Sequence, residues 1–166
     1  GSYLGFGKSS VEDLELKNFW QGKRVLVTGH TGFKGSWLCE MLLMRGAFVY
    51  GLALAPERQP CLFTQLKLEE RLDHLICDIT APGPVKKRII KSNPDIIFHL
   101  AAQPLVRRSY RQPIETWQTN VMGTAHVLDG LKNFKKRCSV VVVTTDKVYE
   151  DNSMKKAYVE SDTLGG

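Results

Sequence analysis

Residues 24–35 read Arg-Val-Leu-Val-Thr-Gly-His-Thr-Gly-Phe-Lys-Gly, and this stretch decides the fold of the chain. Its first part, Arg24–Thr28, is a short apolar run that predicts a buried β-strand. From Phe33 to Arg45 apolar residues recur at helical spacing, and Gly46 then provides a typical C-terminal cap. The turn between strand and helix contains Gly29, Gly32 and Gly35. A strand, a glycine-rich turn and a helix in this order indicate a dinucleotide site.

Each glycine of the turn has a separate expected role. Gly29 permits a tight turn, Gly32 lets a pyrophosphate approach the backbone, and Gly35 lets the helix pack closely on the strand. The pyrophosphate would bind the N–H groups and the positive end of the helix. The spacing differs from that of the commonest dinucleotide fingerprint, so the alternative is a turn that merely needs glycines. His30 and Lys34 are either phosphate contacts or exposed loop residues.

Strand and helix patterns alternate through the rest of the chain. A second buried strand is predicted at residues 48–54, and further strands are predicted at residues 74–77, 95–100 and 139–144. Helices are predicted at residues 62–72, 84–91 and 114–134. Nearly continuous apolar strands separated by helices predict a parallel sheet covered on both faces. The expected fold is therefore α/β: a three-layer, doubly wound, Rossmann-type sheet with ligands at the carboxyl ends of its strands.

Length and composition fit one domain. The 166 residues suffice for a single core, which we place in residues 19–166. Residues 1–18 show no clear period and are predicted to be an N-terminal extension, and Gly1-Ser2 resembles a cloning remnant. No apolar run is long enough to cross a bilayer, so no membrane contact is expected.

The net charge of +6 raises the question of a polyanionic partner. Much of this charge lies in residues 86–88 and 135–137, near predicted helix ends, where solvated cations favour the helix dipole. Aromatic residues are not interleaved with these cations, so nucleic-acid binding is not expected. The four cysteines are scattered without metal-ligand spacing. No metal site is therefore expected, and the cytoplasm is the expected location.

Residues 28–35 resemble the cofactor loop of the extended short-chain dehydrogenase/reductases. The resemblance implies that NAD binds here, and the loop residues that would hold it are Gly29, Thr31, Gly32, Phe33 and Gly35. Asp78 and Ile79 resemble the pair that contacts adenine in that family. The fourth-strand motif and the central-helix asparagine of the family correspond to Leu100, Ala101, Ala102 and Asn120.

Four segments narrow the resemblance to the dehydratases of that family that act on CDP-glucose: residues 19–25, 101–107, 119–124 and 145–147. This resemblance implies a nucleotide-sugar substrate and an internal redox dehydration. NAD⁺ would take hydride from C4 of the sugar, water would leave from C5–C6, and the hydride would return to C6.

The resemblance also implies roles for residues beyond the cofactor loop. Thr145 would hydrogen-bond the C4 hydroxyl, Asp146 would protonate the departing C6 hydroxyl, and Lys147 would act as the base. Lys147 takes the position at which related dehydratases carry a glutamate. Gln103 and Arg107 would bind substrate, and Arg107 could pair with a diphosphate.

Two departures from the family pattern leave alternatives open. The chain contains no Tyr followed by Lys four residues later, so we expect a truncated domain without the C-terminal substrate-binding region. Ala55 stands where an acidic residue often binds the ribose, and Arg58 lies nearby, so NADP is not excluded. A non-catalytic NAD(P)-binding module and a nucleotide-sugar epimerase or reductase are the alternative functions. A homo-oligomer of the full-length form is expected, with residues 114–134 as a candidate contact surface.

Overall fold

The computed structural model describes residues 19–145, 147–150 and 157–165. Its centre is a five-stranded parallel sheet in the order β3-β2-β1-β4-β5. The strands are β1 Arg24–Thr28, β2 Phe48–Ala53, β3 Asp73–Ile76, β4 Ile96–His99 and β5 Ser139–Val142. Strands are added outward from β1 as far as β3, and the chain then returns to place β4 on the other side of β1. This reversal opens a crevice at the carboxyl ends of β1 and β4, where ligands of such sheets bind.

Helices connect the strands, and their bounds differ in part from those predicted. They are α1 Phe33–Met44, α2 Leu62–Gln65, a 3₁₀ turn Leu68–Glu70, α3 Pro82–Ser92, α4 Val106–Arg111, α5 Pro113–Trp117, a π-helical segment Gln118–Met122, and α6 Gly123–Gly130. The helix predicted at residues 114–134 is thus three consecutive helical segments, the last of which ends at Gly130 and not at residue 134. Within the described ranges, no helix is both long and apolar enough to span a membrane.

The central strands β1, β2 and β4 are packed on both faces, which confirms the doubly wound, three-layer architecture. The edge strands β3 and β5 are largely exposed, with Ile76 at 47% and Val141 at 45%. Val25 and Val27 point to one face and pack in a cluster that includes Leu42 of α1 and Phe63 of α2. The other face carries a second cluster, formed by Leu26, Leu52, Ile79, Val85, Ile89, Ile97 and Val127. Successive residues of a strand point to opposite faces, so one apolar run supplies both layers of the core.

The predicted helix at residues 62–72 is wrong in part. The α-helix stops at Gln65, and Lys67 adopts a left-handed conformation with φ +50° before the 3₁₀ turn. This break places Leu68 in the core with no exposed surface. The apolar pattern of this segment therefore reflects burial but not a continuous helix.

Arg88 corrects the interpretation of residues 86–88 as solvated helix-end cations. Its side chain is only 3% exposed and lies against the sheet. The guanidinium Nε donates to the Gly51 carbonyl at 3.2 Å, and Nη1 donates to Asp73 Oδ1 at 2.9 Å. A buried charge needs such partners, and here they join α3 to β2 and β3.

Candidate cofactor site at the carboxyl edge of the sheet

The glycine-rich turn has the geometry that its sequence predicts. Gly29 has φ +76°, and a Cβ atom there would lie 2.8 Å from the Ala101 backbone nitrogen. A Cβ atom on Gly35 would lie 2.1 Å from the Gly29 carbonyl oxygen. At Gly32 the corresponding contact with the same oxygen is looser, at 3.3 Å. Gly29 and Gly35 therefore have no room for a side chain, and α1 begins directly on the turn.

The N-terminus of α1 provides the chemistry of a phosphate site. The helix begins at Phe33, so the N–H groups of its first turn have no partner within the helix, and the positive end of its dipole lies at the glycine turn. Thr31 Oγ1 donates to the Leu54 carbonyl at 2.8 Å and ties the turn to the end of β2. The Phe33 ring is 71% exposed beside it.

His30 does not face this phosphate site, contrary to both sequence interpretations. It is fully buried beneath the turn, where its ring packs edge-on to Phe63 and His74 at 5.3 and 5.4 Å. A Cβ atom on Gly51 would lie 2.6 Å from the His30 ring, so that glycine makes the space. Neither ring nitrogen has a hydrogen-bond partner among the described residues. Burial, with a contribution from His74, lowers the pKa of His30 to about 4.

The loop that leaves β4 is fixed to the end of β1 by Thr28. The Thr28 hydroxyl oxygen accepts the backbone N–H groups of Leu100 and Ala101, both at 3.2 Å. Its own proton then points to His99 Nδ1, 2.7 Å away. Leu100 and Ala101, two predicted cofactor residues, are thus held directly beside the glycine turn.

His99 continues this network into the helix that follows. The Thr124 hydroxyl donates to the Asn120 carbonyl at 2.6 Å, so it accepts from His99 Nε2 at 2.9 Å. His99 therefore carries its proton on Nε2 and accepts at Nδ1, a neutral tautomer determined by its neighbours. Burial lowers the pKa of His99 and favours the same neutral form.

Asn120 clamps the backbone of Gln103. Its Oδ1 accepts the Gln103 N–H at 2.7 Å, and its Nδ2 donates to the Gln103 carbonyl at 3.2 Å. The Gln103 side chain donates to Thr116 Oγ1 at 3.0 Å and accepts the Leu105 N–H at 2.7 Å. Both predicted site residues therefore shape the loop after β4, and Asn120 lies in the π-helical segment, a feature frequent at functional sites.

Asp78 and Ile79 follow β3 at the same edge of the sheet. Asp78 is exposed and its Oδ1 accepts the Thr80 N–H at 2.8 Å. Ile79 is buried, and a Cβ atom on Gly123 would lie 2.6 Å from its side chain, so α6 packs closely on it. The pair thus combines an exposed carboxylate with a fixed backbone.

The segment after β5 carries the predicted catalytic residues. Val143 N donates to the His99 carbonyl at 3.0 Å, so this segment runs beside the loop after β4. Thr145 and Lys147 are exposed, and the Lys147 N–H donates to Thr145 Oγ1 at 3.2 Å. Asp146 lies outside the described residues.

Arg107 lies on α4, a short helix that the sequence patterns did not predict. It lines an open cavity of about 730 Å³, whose other lining residues are Leu105, Val106, Arg108, Arg111 and Gln112. Arg108 also pairs with Glu57 of the loop after β2. Sequence reasoning missed both members of this pair, although Glu57 stands only two residues beyond Ala55.

The parallel sheet, its switch point and the glycine turn define a Rossmann-type fold. A sequence model of the family described as GDP-mannose 4,6 dehydratase matches residues 26–164, and the chain belongs to this family.

Individual relatives include enzymes that act on different nucleotide sugars. CDP-glucose 4,6-dehydratase of Salmonella typhimurium strain LT2 is 49% identical over 150 residues, which cover 90% of this chain and 42% of that protein. GDP-mannose 4,6 dehydratase 2 of Caenorhabditis elegans is 32% identical, over 70% of this chain and 33% of that protein. The chain therefore spans less than half the length of these curated relatives.

Solved structures agree with the fold. UDP-glucose 4-epimerase of Thermus thermophilus, in complex with NAD, has a TM-score of 0.72 and 25% identity, over 86% of this chain and 44% of that one. The epimerase Mth375 of Methanothermobacter thermautotrophicus has a TM-score of 0.73 and 25% identity, over 93% of this chain and 45% of that one.

Proposed function

We propose that this chain carries the cofactor-binding part of an NAD-dependent nucleotide-sugar 4,6-dehydratase that acts on CDP-glucose. One observation supports this substrate above the others. The chain is 49% identical to the Salmonella CDP-glucose 4,6-dehydratase, but only 32% identical to a GDP-mannose dehydratase and 28% to a UDP-glucose epimerase.

The residues at the carboxyl edge fit a nicotinamide dinucleotide. The turn closed by Gly29 and Gly35, with the first N–H groups of α1, would hold the diphosphate. Asp78 and Ile79 would contact the adenine. The loop of Leu100–Ala102, fixed by Thr28 and by the Asn120 clamp, would face the nicotinamide half. When bound, NAD⁺ supplies the hydride acceptor for oxidation at C4 of the sugar.

Three side chains after β5 would act on the sugar. Thr145 would orient the C4 hydroxyl by a hydrogen bond. Lys147 would take the C5 proton, and Asp146 would give a proton to the C6 hydroxyl, which leaves as water. Lys147 is exposed in this structure, so we expect the bound sugar and its binding region to cover it and exclude water.

The alternative functions predict different outcomes with the same substrate. An epimerase or reductase is supported by the UDP-glucose 4-epimerase and CDP-paratose 2-epimerase relatives. A non-catalytic NAD(P)-binding module is the remaining alternative.

The test is mass spectrometry of CDP-glucose incubated with NAD⁺ and the full product of the gene that encodes this chain. Loss of one water from the sugar is the expected result. An unchanged mass with altered stereochemistry would indicate an epimerase, and unchanged CDP-glucose despite NAD⁺ binding would indicate a non-catalytic module. Thr145→Val should abolish water loss, whereas the control Thr163→Val, an exposed threonine further along the chain, should retain it.

We also propose that the full-length form is a homo-oligomer. The outer side of residues 113–130 carries exposed apolar side chains, among them Ile114 at 70% and Trp117 at 65% exposure. Apolar surface of this kind is typical of contact regions between subunits. Sedimentation of the full-length protein should show a dimer or larger, and Ile114→Lys should shift it toward the monomer.

The cytoplasmic location stays a prediction, and it fits the four cysteines, none of which forms a disulfide.

A further inference from the structure

His126 of α6 forms a hydrogen bond with the loop that follows β3. Its Nδ1 lies 3.1 Å from the carbonyl oxygen of Ile79, which is 47 residues away in the chain. A carbonyl oxygen has no proton to donate, so His126 Nδ1 carries the proton and is the donor. Gly123, at the start of the same helix, packs on the Ile79 side chain. The helix therefore holds this loop by one hydrogen bond and one close packing contact.

The peptide group between Ile79 and Thr80 is held on both of its sides. Its carbonyl accepts the hydrogen bond from His126 Nδ1. Its N–H group, which belongs to Thr80, donates to Asp78 Oδ1 at 2.8 Å. A peptide group is planar, so a bond that fixes the direction of its carbonyl also fixes the direction of its N–H. His126 thus sets the direction of the donor that holds the Asp78 carboxylate.

The Asp78 carboxylate provides the chemistry that this loop offers to a ligand. Its side chain is exposed, and among the residues that the structure describes only Oδ1 has a hydrogen-bond partner, so Oδ2 is available. A carboxylate accepts hydrogen bonds, and the amino group at C6 of adenine donates them. A hypoxanthine ring has an oxygen at C6 instead, and two acceptors would then face each other without a proton between them. A correctly directed Asp78 therefore distinguishes adenine from hypoxanthine.

We infer that His126 is a positioning residue of the cofactor site and directs the Asp78 carboxylate toward the adenine amino group through the Ile79–Thr80 peptide. The inference rests on the proposed function, because it assumes that NAD binds with its adenine beside Asp78. The consecutive helical segments after α4 then have two tasks. Asn120 clamps the loop after β4, and His126 fixes the loop after β3.

The test is calorimetric titration of the full product of the gene that encodes this chain with NAD⁺ and, separately, with nicotinamide hypoxanthine dinucleotide. The wild type should bind NAD⁺ about tenfold more tightly, because the second dinucleotide replaces a hydrogen bond to a carboxylate by a contact between two acceptors. His126→Leu removes the donor to Ile79 and should reduce this preference at least about threefold. His126→Asn should keep most of the preference, since its amide nitrogen is as many bonds from the backbone as Nδ1 is.

Gly130→Ala is the matched control in the same helix. Its Cβ atom would lie 2.6 Å from the Ile89 side chain of α3, so it disturbs the packing of α6 at a different contact and should leave the preference for NAD⁺ unchanged. Asp78→Ala should itself remove the preference. Because His126 acts through Asp78, adding His126→Leu to Asp78→Ala should cause no further change in the ratio of the two affinities.

An unchanged preference in His126→Leu, with NAD⁺ still bound, would overturn the inference and leave the proposed function intact. Equal binding of the two dinucleotides by the folded wild type would have the same meaning, as would an equal loss of preference in Gly130→Ala or in His126→Asn. Failure of the folded wild type to bind either dinucleotide would refute the proposed function, and the inference with it.

Discussion

Acid should destabilise this protein through His30, the imidazole buried beneath the glycine turn. The ring has no exposed surface, and among the described residues neither nitrogen has a hydrogen-bond partner. Two neighbouring groups also disfavour a protonated His30: His74 packs against its ring, and Arg88 lies on the neighbouring helix α3. The folded state therefore holds His30 neutral.

The size of the effect follows from the pKa of His30, which burial lowers from 6.5 to about 4. Below pH 6.5 His30 binds a proton in the unfolded chain but not in the folded chain. The free energy of unfolding therefore falls as the pH falls toward 4. A difference of this size corresponds to about 3 kcal/mol in total, of which about 2.5 kcal/mol is lost by pH 4.5. That is a large share of the ~5–15 kcal/mol that stabilises a typical domain.

The assay is urea unfolding of the wild type and of His30→Leu at several pH values between 7 and 4.5. Leucine fills the apolar site without a titrating group, so its loss of stability over this range should be smaller by about 2.5 kcal/mol. This range lies above the lowered pKa values of Asp73 and Asp95, so those carboxylates stay ionised. His126→Gln, which replaces a half-buried histidine of α6 and leaves His30 in place, is the matched control and should keep the pH-dependent loss that His30 causes. Equal losses in the wild type and in His30→Leu would refute the burial of a neutral His30.

Three further substitutions test the turn, the hydrogen-bond network and the clamp. Gly35→Ala places a Cβ atom 2.1 Å from the Gly29 carbonyl oxygen and should lower the free energy of unfolding by about 2 kcal/mol or more in urea titrations. The control Gly83→Ala should not lower it, because a Cβ atom at this exposed position has no neighbour within 4 Å. His99→Leu leaves buried hydroxyls without their partner and should cost about 1–3 kcal/mol by the same measurement, whereas His99→Gln, which keeps a donor and an acceptor, should cost less. Asn120→Leu removes both hydrogen bonds to the Gln103 backbone and should weaken NAD⁺ binding at least severalfold in calorimetry. Unchanged affinity would show that these hydrogen bonds do not contribute to NAD⁺ binding.

Local patterns were sufficient to predict the sheet and its glycine turn. The apolar runs that became β1 and β2 need no distant partner to be recognised, because continuous apolar strands belong to buried parallel sheets. The roles of Gly29 and Gly35 were also predictable, since a strand followed directly by a helix requires a tight and closely packed turn. Their geometry in the structure agrees with those roles.

Features that depend on partners distant in the chain could not be predicted. His30 is buried because Gly51 of β2 leaves space and Phe63 of α2 covers it. Arg88 is buried because the Gly51 carbonyl and Asp73 meet its guanidinium. Neither environment follows from the residues adjacent in sequence. The helix likewise breaks at Lys67 because this conformation lets Leu68 be buried. Burial of Leu68 in the core overrides the local helical pattern.

The candidate site was predicted in part for the same reason. Residues beside the turn, such as Ala101, were expected because their motif resembles the fourth-strand motif of the family. The pairing of Glu57 with Arg108 does not, because their sequence separation is 51 residues and the helix that carries Arg108 was not predicted. The roles of Thr145 and Lys147 stay predictions, since the structure shows their exposure but no substrate.

A crystal structure of this chain grown with NAD⁺ tests the central claim most directly. The proposed function predicts the diphosphate against the N–H groups at the start of α1, the adenine beside Asp78 and Ile79, and the nicotinamide over the loop of Leu100–Ala102. NAD⁺ bound elsewhere, or an empty crevice in a folded chain at saturating NAD⁺, would contradict it.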